Sequence, residues 1–244
     1  MARKFYSVSS HVLTLASAPV TAVPFSMACW FNARSNAASQ NLITIEVAGS
    51  TANRHDLVAV QGNSVNAESK ITGTAARATT TVGYSNNVWN HACGVWASIT
   101  SRAVYLNGGN KGTDATSKAP SGINETKIGN GNLGDMDGLI AEAAIWNAAL
   151  TDGEVKALAL GTRPIFIRPM SLVAYWPLLQ RFAPEIDVTS SGTNLMAVTG
   201  ALSVPYNPPA VFYPRRKRYF VSAAVAPIFQ PLNINQAVVR SNYW

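Results

Sequence analysis

Residues 128–161, IGNGNLGDMDGLIAEAAIWNAALTDGEVKALALG, constrain the fold more than any other stretch of the chain. A glycine-broken turn opens into an apolar run at 139–146, too short for a buried helix and bounded by polar residues on both sides, which reads as a strand. Thr151 and Glu154 then stand at the spacing of a reciprocal helix cap. The Thr oxygen takes the N–H three residues on, and the Glu carboxylate reaches back to the Thr N–H. Val155 and Leu158 share one face, and Gly161 and Pro164 end the helix. A strand edge closed by a short lid helix is the expected unit.

The rest of the chain repeats the strand signal without the helix. Residues 4–16 alternate as a first strand, with Phe5, Val12, Leu13 and Leu15 as core candidates, and Pro19 and Pro24 frame the next turn. Residues 25–33, 41–48 and 57–61 follow as strands, and 71–81, rich in Thr and Ala, reads as an exposed strand or loop. Residues 88–99 and 102–106 pair as a hairpin, and Asn107-Gly108-Gly109 supplies the positive-φ turn into the next strand. Residues 171–178, SLVAYWPL, return one further apolar strand with Trp176. Turn signals every eight to twelve residues argue for an antiparallel β-sandwich. Charged residues make up only 13% of the 244, against about 25% in an average domain. That fits either a neutral sandwich or a surface destined to be covered by other subunits.

The motifs Asp137-Gly138-Leu139-Ile140-Ala141-Glu142, Ile145-Trp146-Asn147, Ala149-Leu150-Thr151-Asp152, Glu154-Val155 and Leu158-Ala159 resemble the last strands and closing helix of the laminin-G, pentraxin and concanavalin A-like jelly-roll superfamily. Trp89-Asn90-His91, Val104-Tyr105-Leu106-Asn107-Gly108 and Phe25-Ser26-Met27-Ala28-Cys29-Trp30-Phe31 extend the likeness to roughly residues 1–180. The resemblance implies an all-β antiparallel jelly-roll sandwich with one short helix. It carries little about function, because one fold hosts many unrelated jobs.

The sandwich is expected to close at 179–183, giving a domain at 1–183 and an extended C-terminal arm at 184–244. The arm contains seven prolines and the run Arg215-Arg216-Lys217-Arg218, flanked by Phe212, Tyr213, Tyr219 and Phe220. The net charge of +7 is mostly its property: 14 Lys and Arg stand against 12 Asp and Glu up to Asp187, and five Lys and Arg against no acid thereafter. Pro-rich composition permits extended segments punctuated by short strands. A disordered basic tail is the bland alternative. The large apolar groups, Trp244 among them, favour an arm held on its own domain or on another chain. Four cations amid aromatics could grip nucleic acid, but Arg and Tyr are equally the residues of protein interfaces, and the run is short for a nucleic-acid footprint. Phe212, Tyr213, Arg215, Arg216, Lys217, Arg218, Tyr219, Phe220 and Trp244 are therefore the expected partner-binding residues.

No pair of carboxylates sits at i and i+2 or i+4 on one strand, as glycoside hydrolysis would need, and no nucleophilic triad can be read from spacing, so an enzyme is not expected. Asn130, Asn132, Asp135 and Asp137 offer oxygens suited to calcium or to a sugar, with Trp146 as an aromatic companion, although turn chemistry also accounts for Asp135 and Asp137. His11, His55 and His91 lack ligand spacing, His91 reading as a packed histidine. The GNGNLG run is followed by a strand rather than the helix a phosphate loop requires, so no cofactor is called for. Cys29 and Cys93 could form a disulfide, but their apolar strand settings favour two buried thiols.

No segment has the ~18 apolar residues of a membrane span, and the N-terminus is too polar for a signal peptide. Jelly rolls without leaders and with Pro-rich arms resemble bacteriophage virion components. The leading expectation is thus a non-enzymatic virion structural protein, most simply a capsid decoration or cement protein, localised to the virion and bound to neighbouring capsid subunits and to copies of itself. The alternative is a lectin-like carbohydrate-binding module in a tail or host-attachment structure, with a surface glycan as partner.

Overall fold

A computed structural model of the chain describes residues 1–209. Its strands are β1 (Ala2–Phe5), β2 (Val12–Leu15), β3 (Phe25–Ala33), β4 (Gln40–Glu46), β5 (Arg54–Ala59), β6 (Val65–Ile71), β7 (Thr74–Thr79) and β8 (Asn90–Ser98). They continue with β9 (Ser101–Leu106), β10 (Gly109–Asp114), β11 (Glu125–Ile128), β12 (Gly138–Trp146), β13 (Leu172–Trp176), β14 (Ala197–Thr199) and β15 (Leu202–Val204), and the helix α1 (Asp152–Ala159) falls between β12 and β13. Two antiparallel sheets form a jelly-roll sandwich. One has the order β10-β9-β8-β3-β12-β1-β15, with β13 also on β12; the other runs β14-β2-β11-β4-β5-β6-β7.

Between the sheets lie Phe5, Phe25, Met27, Phe31, Ile43, Ile45, Trp96, Ile140 and Trp176, all buried. Phe25 stacks on Trp96 with ring centroids 4.7 Å apart, and His55 meets both rings edge-on. Alternation sends the odd residues of β3 inward. The turn at Asn107 and Gly108 takes positive φ at both positions (53° and 75°), the twist that closes a tight hairpin.

Three expectations shift. The run at 139–146 lies inside the eight-stranded sheet rather than at its edge: β12 has β3 on one side and β1 and then β13 on the other. It is apolar on both faces because both are covered. Ile140, Ala143 and Ile145 enter the core, while Ala144 and Trp146 lie in a second cluster with Val155 and Leu158 of α1. The helix therefore covers the sheet's outer face. Its reciprocal cap is present, with Thr151 N–H donating to Glu154 Oε2 at 2.7 Å and Glu154 N–H to Thr151 Oγ1 at 3.4 Å.

Residues 4–16 are two strands, not one. Phe5 ends β1 in the eight-stranded sheet, and Leu13 and Leu15 belong to β2 in the other. Past residue 183, β14 pairs with β2 and β15 with β1, so one strand is added to each sheet beyond the expected closure. The basic-aromatic residues Phe212, Tyr213, Arg215, Arg216, Lys217, Arg218, Tyr219, Phe220 and Trp244 lie outside the described residues.

Cys29 and Cys93 are buried free thiols. Cys29 is in register with Ala92 and Cys93 with Ala28, which turns one thiol into the core and the other outward beneath α1. Among the described residues no helix is long and apolar enough to cross a membrane.

Candidate functional site

The turn between β11 and β12 holds the four residues nominated for calcium or sugar, and their side chains go different ways. Asn130 Nδ2 donates to Asp135 Oδ1 at 2.6 Å, while Asn132 Nδ2 reaches Glu46 Oε2 on β4 at 3.1 Å. Asp137 turns instead to Arg34, whose Nε meets Oδ2 at 3.0 Å while Nη2 meets Oδ1. The turn is seated on β4: Leu133 N–H donates to Asn41 Oδ1 at 3.0 Å, and a Cβ on Gly131 would stand 2.5 Å from the Asn41 amide. Among the described residues no three His, Cys, Asp or Glu side chains group as metal ligands. Trp146, the aromatic nominated beside them, is fully buried, with its indole N–H donating to Ile167 O at 2.8 Å. It belongs under α1 and is removed from any surface site, because its strand lies inside the sheet.

A pair of carboxylates that no local spacing could reveal is formed across strands. Asp56 on β5 and Glu68 on β6 are register partners on the outer face of the seven-stranded sheet. Both are fully buried. Arg54 bridges them, Arg77 also donates to Glu68, and Asp56 accepts from Thr44 at 2.8 Å and Asn41 at 3.0 Å. Burial pushes the Asp56 carboxyl up to about 6 against the pull of Arg54. Two catalytic carboxylates must meet a substrate, and these two meet guanidinium groups instead. The arrangement is a structural ion network, extended on the same sheet by Lys127 with Glu46 at 2.6 Å and Glu125 at 2.8 Å.

Among the described residues, two hollows on the outer face of the eight-stranded sheet stand out. The larger, about 630 Å³, lies beside the start of α1 over Val95, Ala97, Ala103 and Thr113. Its polar groups are spent on one another: Tyr105 Oη donates to Asp152 Oδ1 at 2.7 Å, Lys111 Nζ to the same oxygen at 2.9 Å, and Arg102 pairs with Asp114. The hydrogen bond from Tyr105, with that from Lys111 after it, holds the Asp152 carboxyl below its usual range.

The other groove, about 380 Å³, has groups to spare. Register builds it. Lys4 of β1 stands opposite Leu139 of β12, and Leu139 opposite Asn32 of β3, so the three form one row across the sheet. Val204 of β15 and Tyr206 close one side, and Asn87 and the Arg34–Asp137 pair the other. Tyr206 is 58% exposed. Lys4 Nζ lies 4.7 Å from the ring centroid of Tyr6, and the Arg34 guanidinium 5.7 Å from it. Among the described residues, Asp137 is the only sequence-nominated one that borders this groove; its other lining residues were out of reach of local reading because the row joins positions far apart in the chain.

Residues 7–156 match a laminin G model of the concanavalin A-like lectin/glucanases superfamily. The chain belongs to that superfamily. Concanavalin A-like architecture recurs in solved structures. A heptameric SAP-like pentraxin from Limulus polyphemus is similar with a TM-score of 0.52 and 14% identity, over 65% of this chain and 81% of that one. A Bacteroides ovatus protein assigned to carbohydrate binding reaches a TM-score of 0.59 at 16% identity, over 86% of this chain and 61% of that one. The enzymatically active domain of tailspike protein 2 of bacteriophage CBA120 gives 0.52 at 14%, over 72% of this chain but 29% of its own. At such identities the shared property is the fold. A comparison with curated protein sequences finds no match.

Proposed function

We propose that this protein is a non-enzymatic, lectin-like module that binds a glycan in the groove bounded by Lys4, Asn32, Asn87, Leu139 and Tyr206. The observation that carries this reading is the groove's chemistry. A sugar ring has an apolar face and a rim of hydroxyls, and recognition calls for a flat hydrophobic wall beside a few aimed polar groups. Tyr206, Leu139 and Val204 supply the first; Lys4, Asn32 and Asn87 supply the second. The one carboxylate present, Asp137, is tied to Arg34, which leaves no acid and base pair for hydrolysis. Membership of a lectin-containing superfamily supports the same reading, as does the description of the Bacteroides ovatus protein. Calorimetric titration of the full chain against a panel of neutral and acidic oligosaccharides tests it. Binding that falls at least tenfold in Tyr206→Ala supports the site, and no binding across the panel sinks it.

A second reading places the module on a bacteriophage virion as a decoration or tail subunit. Its specific support is the distribution of exposed apolar side chains: of the sixteen large ones exposed among the described residues, eleven fall at 160–206, including Leu160, Ile165, Met170, Phe182 and Leu202. Exposed apolar side chains are what an assembly contact draws on. The tailspike likeness is in keeping with that setting, and the run Arg215-Arg216-Lys217-Arg218 offers a charged anchor. Light scattering and co-sedimentation with phage particles, comparing the full chain with a variant whose four cations are replaced by serine, would separate the outcomes. A monomer that never co-sediments removes this reading and leaves the lectin one intact.

A further inference from the structure

We infer that the groove selects a sugar bearing a carboxylate, with Lys4 as the group that recognises the charge. This rests on the glycan-binding reading and narrows it to a substrate class. The argument begins with the charges lining the groove. Arg34 and Asp137 neutralise each other in a two-point ion pair. Lys4 has no carboxylate partner among the described residues, so one positive charge is left facing the hollow. Its ammonium is held 4.7 Å from the Tyr6 ring, a contact that positions a cation without cancelling it.

Asn32 provides the second, independent observation. It is only 9% exposed and lines the groove, yet its side-chain amide makes no hydrogen bond among the described residues. Its amide therefore opens to solvent from the groove, where ligand hydroxyls can take the place of water. Asn87, exposed and likewise uncommitted, stands on the same rim.

These pieces define the ligand. A carboxylate suits Lys4, because charge-assisted hydrogen bonds are roughly twice as strong as neutral ones. Hydroxyls suit Asn32 and Asn87, which both donate and accept. A flat C–H face suits Tyr206 and the apolar floor of Leu139 and Val204. The volume of about 380 Å³ is at the small end of the ~300–1,000 Å³ typical of small-ligand sites, so one or two sugar rings are engaged. A uronic or similarly acidic sugar meets every requirement. A phosphate would leave the apolar wall without a role.

The test uses the full chain and matched probes: trigalacturonate against its neutral methyl ester, and sialyllactose against lactose. At least one acidic probe is expected to bind tenfold or more tightly than its neutral mate, and Lys4→Met should remove that preference while leaving the melting temperature within a few degrees. Because the chain carries +7 overall, the variant with Arg215, Arg216, Lys217 and Arg218 replaced by serine is measured in parallel. The preference must survive in it; loss there would assign the acid binding to those cations and overturn the inference. Equal binding of acidic and neutral probes, with sensitivity to Tyr206→Ala retained, would overturn the charge selection and leave the lectin reading standing. No binding of any probe would remove both.

Discussion

Arg3 and Glu185 are 182 residues apart and joined by a buried ion pair, Arg3 Nε to Glu185 Oε2 at 3.0 Å, with the two side chains 3% and 1% exposed. Arg3 Nη1 also donates to Ala201 O at 3.0 Å. The pair ties the first strand to a segment lying past the closure expected from sequence. Removing one partner of a buried pair strands the other charge, a loss of about 3–5 kcal/mol. Glu185→Ala is therefore expected to lower the unfolding free energy measured by urea denaturation by an amount in that range. A loss below about 1 kcal/mol would mean that the carbonyls of Ala201 and Phe182 satisfy Arg3 by themselves.

Acid should unfold this protein through its histidines. Burial holds His55 and His91 at about 3, whereas an unfolded histidine titrates near 6.5. Between those values the unfolded chain carries protons that the folded chain refuses. Stability therefore rises with pH across the window and is lost as pH falls from about 6.5 towards 3. The loss is about 2 kcal/mol per histidine by pH 5. Denaturation series at pH 7, 6 and 5 measure it. His91→Leu should remove about 2 kcal/mol of the loss at pH 5, since His91 Nδ1 has no hydrogen-bond partner to lose. The buried Asp56 carboxyl, pushed up to about 6, offsets part of this loss in the parent and in the variant alike, so an identical pH dependence in the parent and in His91→Leu would contradict the burial of the His91 ring.

Two glycines of β10 have opposite tolerances. A Cβ at Gly112 would fall 1.8 Å from Thr79 O, where the edges of the two sheets meet, while one at Gly109 would touch nothing within 4 Å. The close neighbour is backbone and cannot swing aside. Gly112→Ala should cost about 3 kcal/mol or more through overpacking, against a change within about 0.5 kcal/mol for Gly109→Ala. Thermal melts of the two variants decide, and equal effects would refute the close approach of β7 and β10.

The thiols give a covalent readout of the same sandwich. Burial pushes both Cys29 and Cys93 well above the ordinary thiol range, and they leave their adjacent strands on opposite faces. A thiol reagent should label neither in the native protein and both in denaturant. Detection of a Cys29–Cys93 disulfide in the native protein by mass spectrometry would show the register of β3 and β8 to be wrong.

Much of the fold was legible because its signals are local. The cap at Thr151 and Glu154, the turn at Asn107 and Gly108 and the apolar run of β12 each lie within a few residues. The break between β1 and β2 was hidden by parity. Phe5, Leu13 and Leu15 are all odd-numbered, so alternation runs on unbroken while the chain crosses from one sheet to the other. The groove was illegible for a stronger reason. Lys4, Asn32 and Leu139 meet only through cross-strand register, and nothing in the local period of β1, β3 or β12 encodes which residue will stand opposite which. The Asp56–Glu68 pair was missed on the same account, since spacing along one strand cannot disclose a neighbour on the next.

The pairing of β1 with β15 has a meaning for synthesis. A nascent chain emerges N-terminus first, so β1 leaves the ribosome without either of the strands it will lie between, and the second of them ends at Val204. At the usual ~5–20 residues per second of translation, its edges stay open for roughly ten seconds or longer. Completion of the eight-stranded sheet is thus a late, long-range event of the kind that slows β-rich proteins. During that interval the apolar faces of β1 are not yet covered by the protein's own packing.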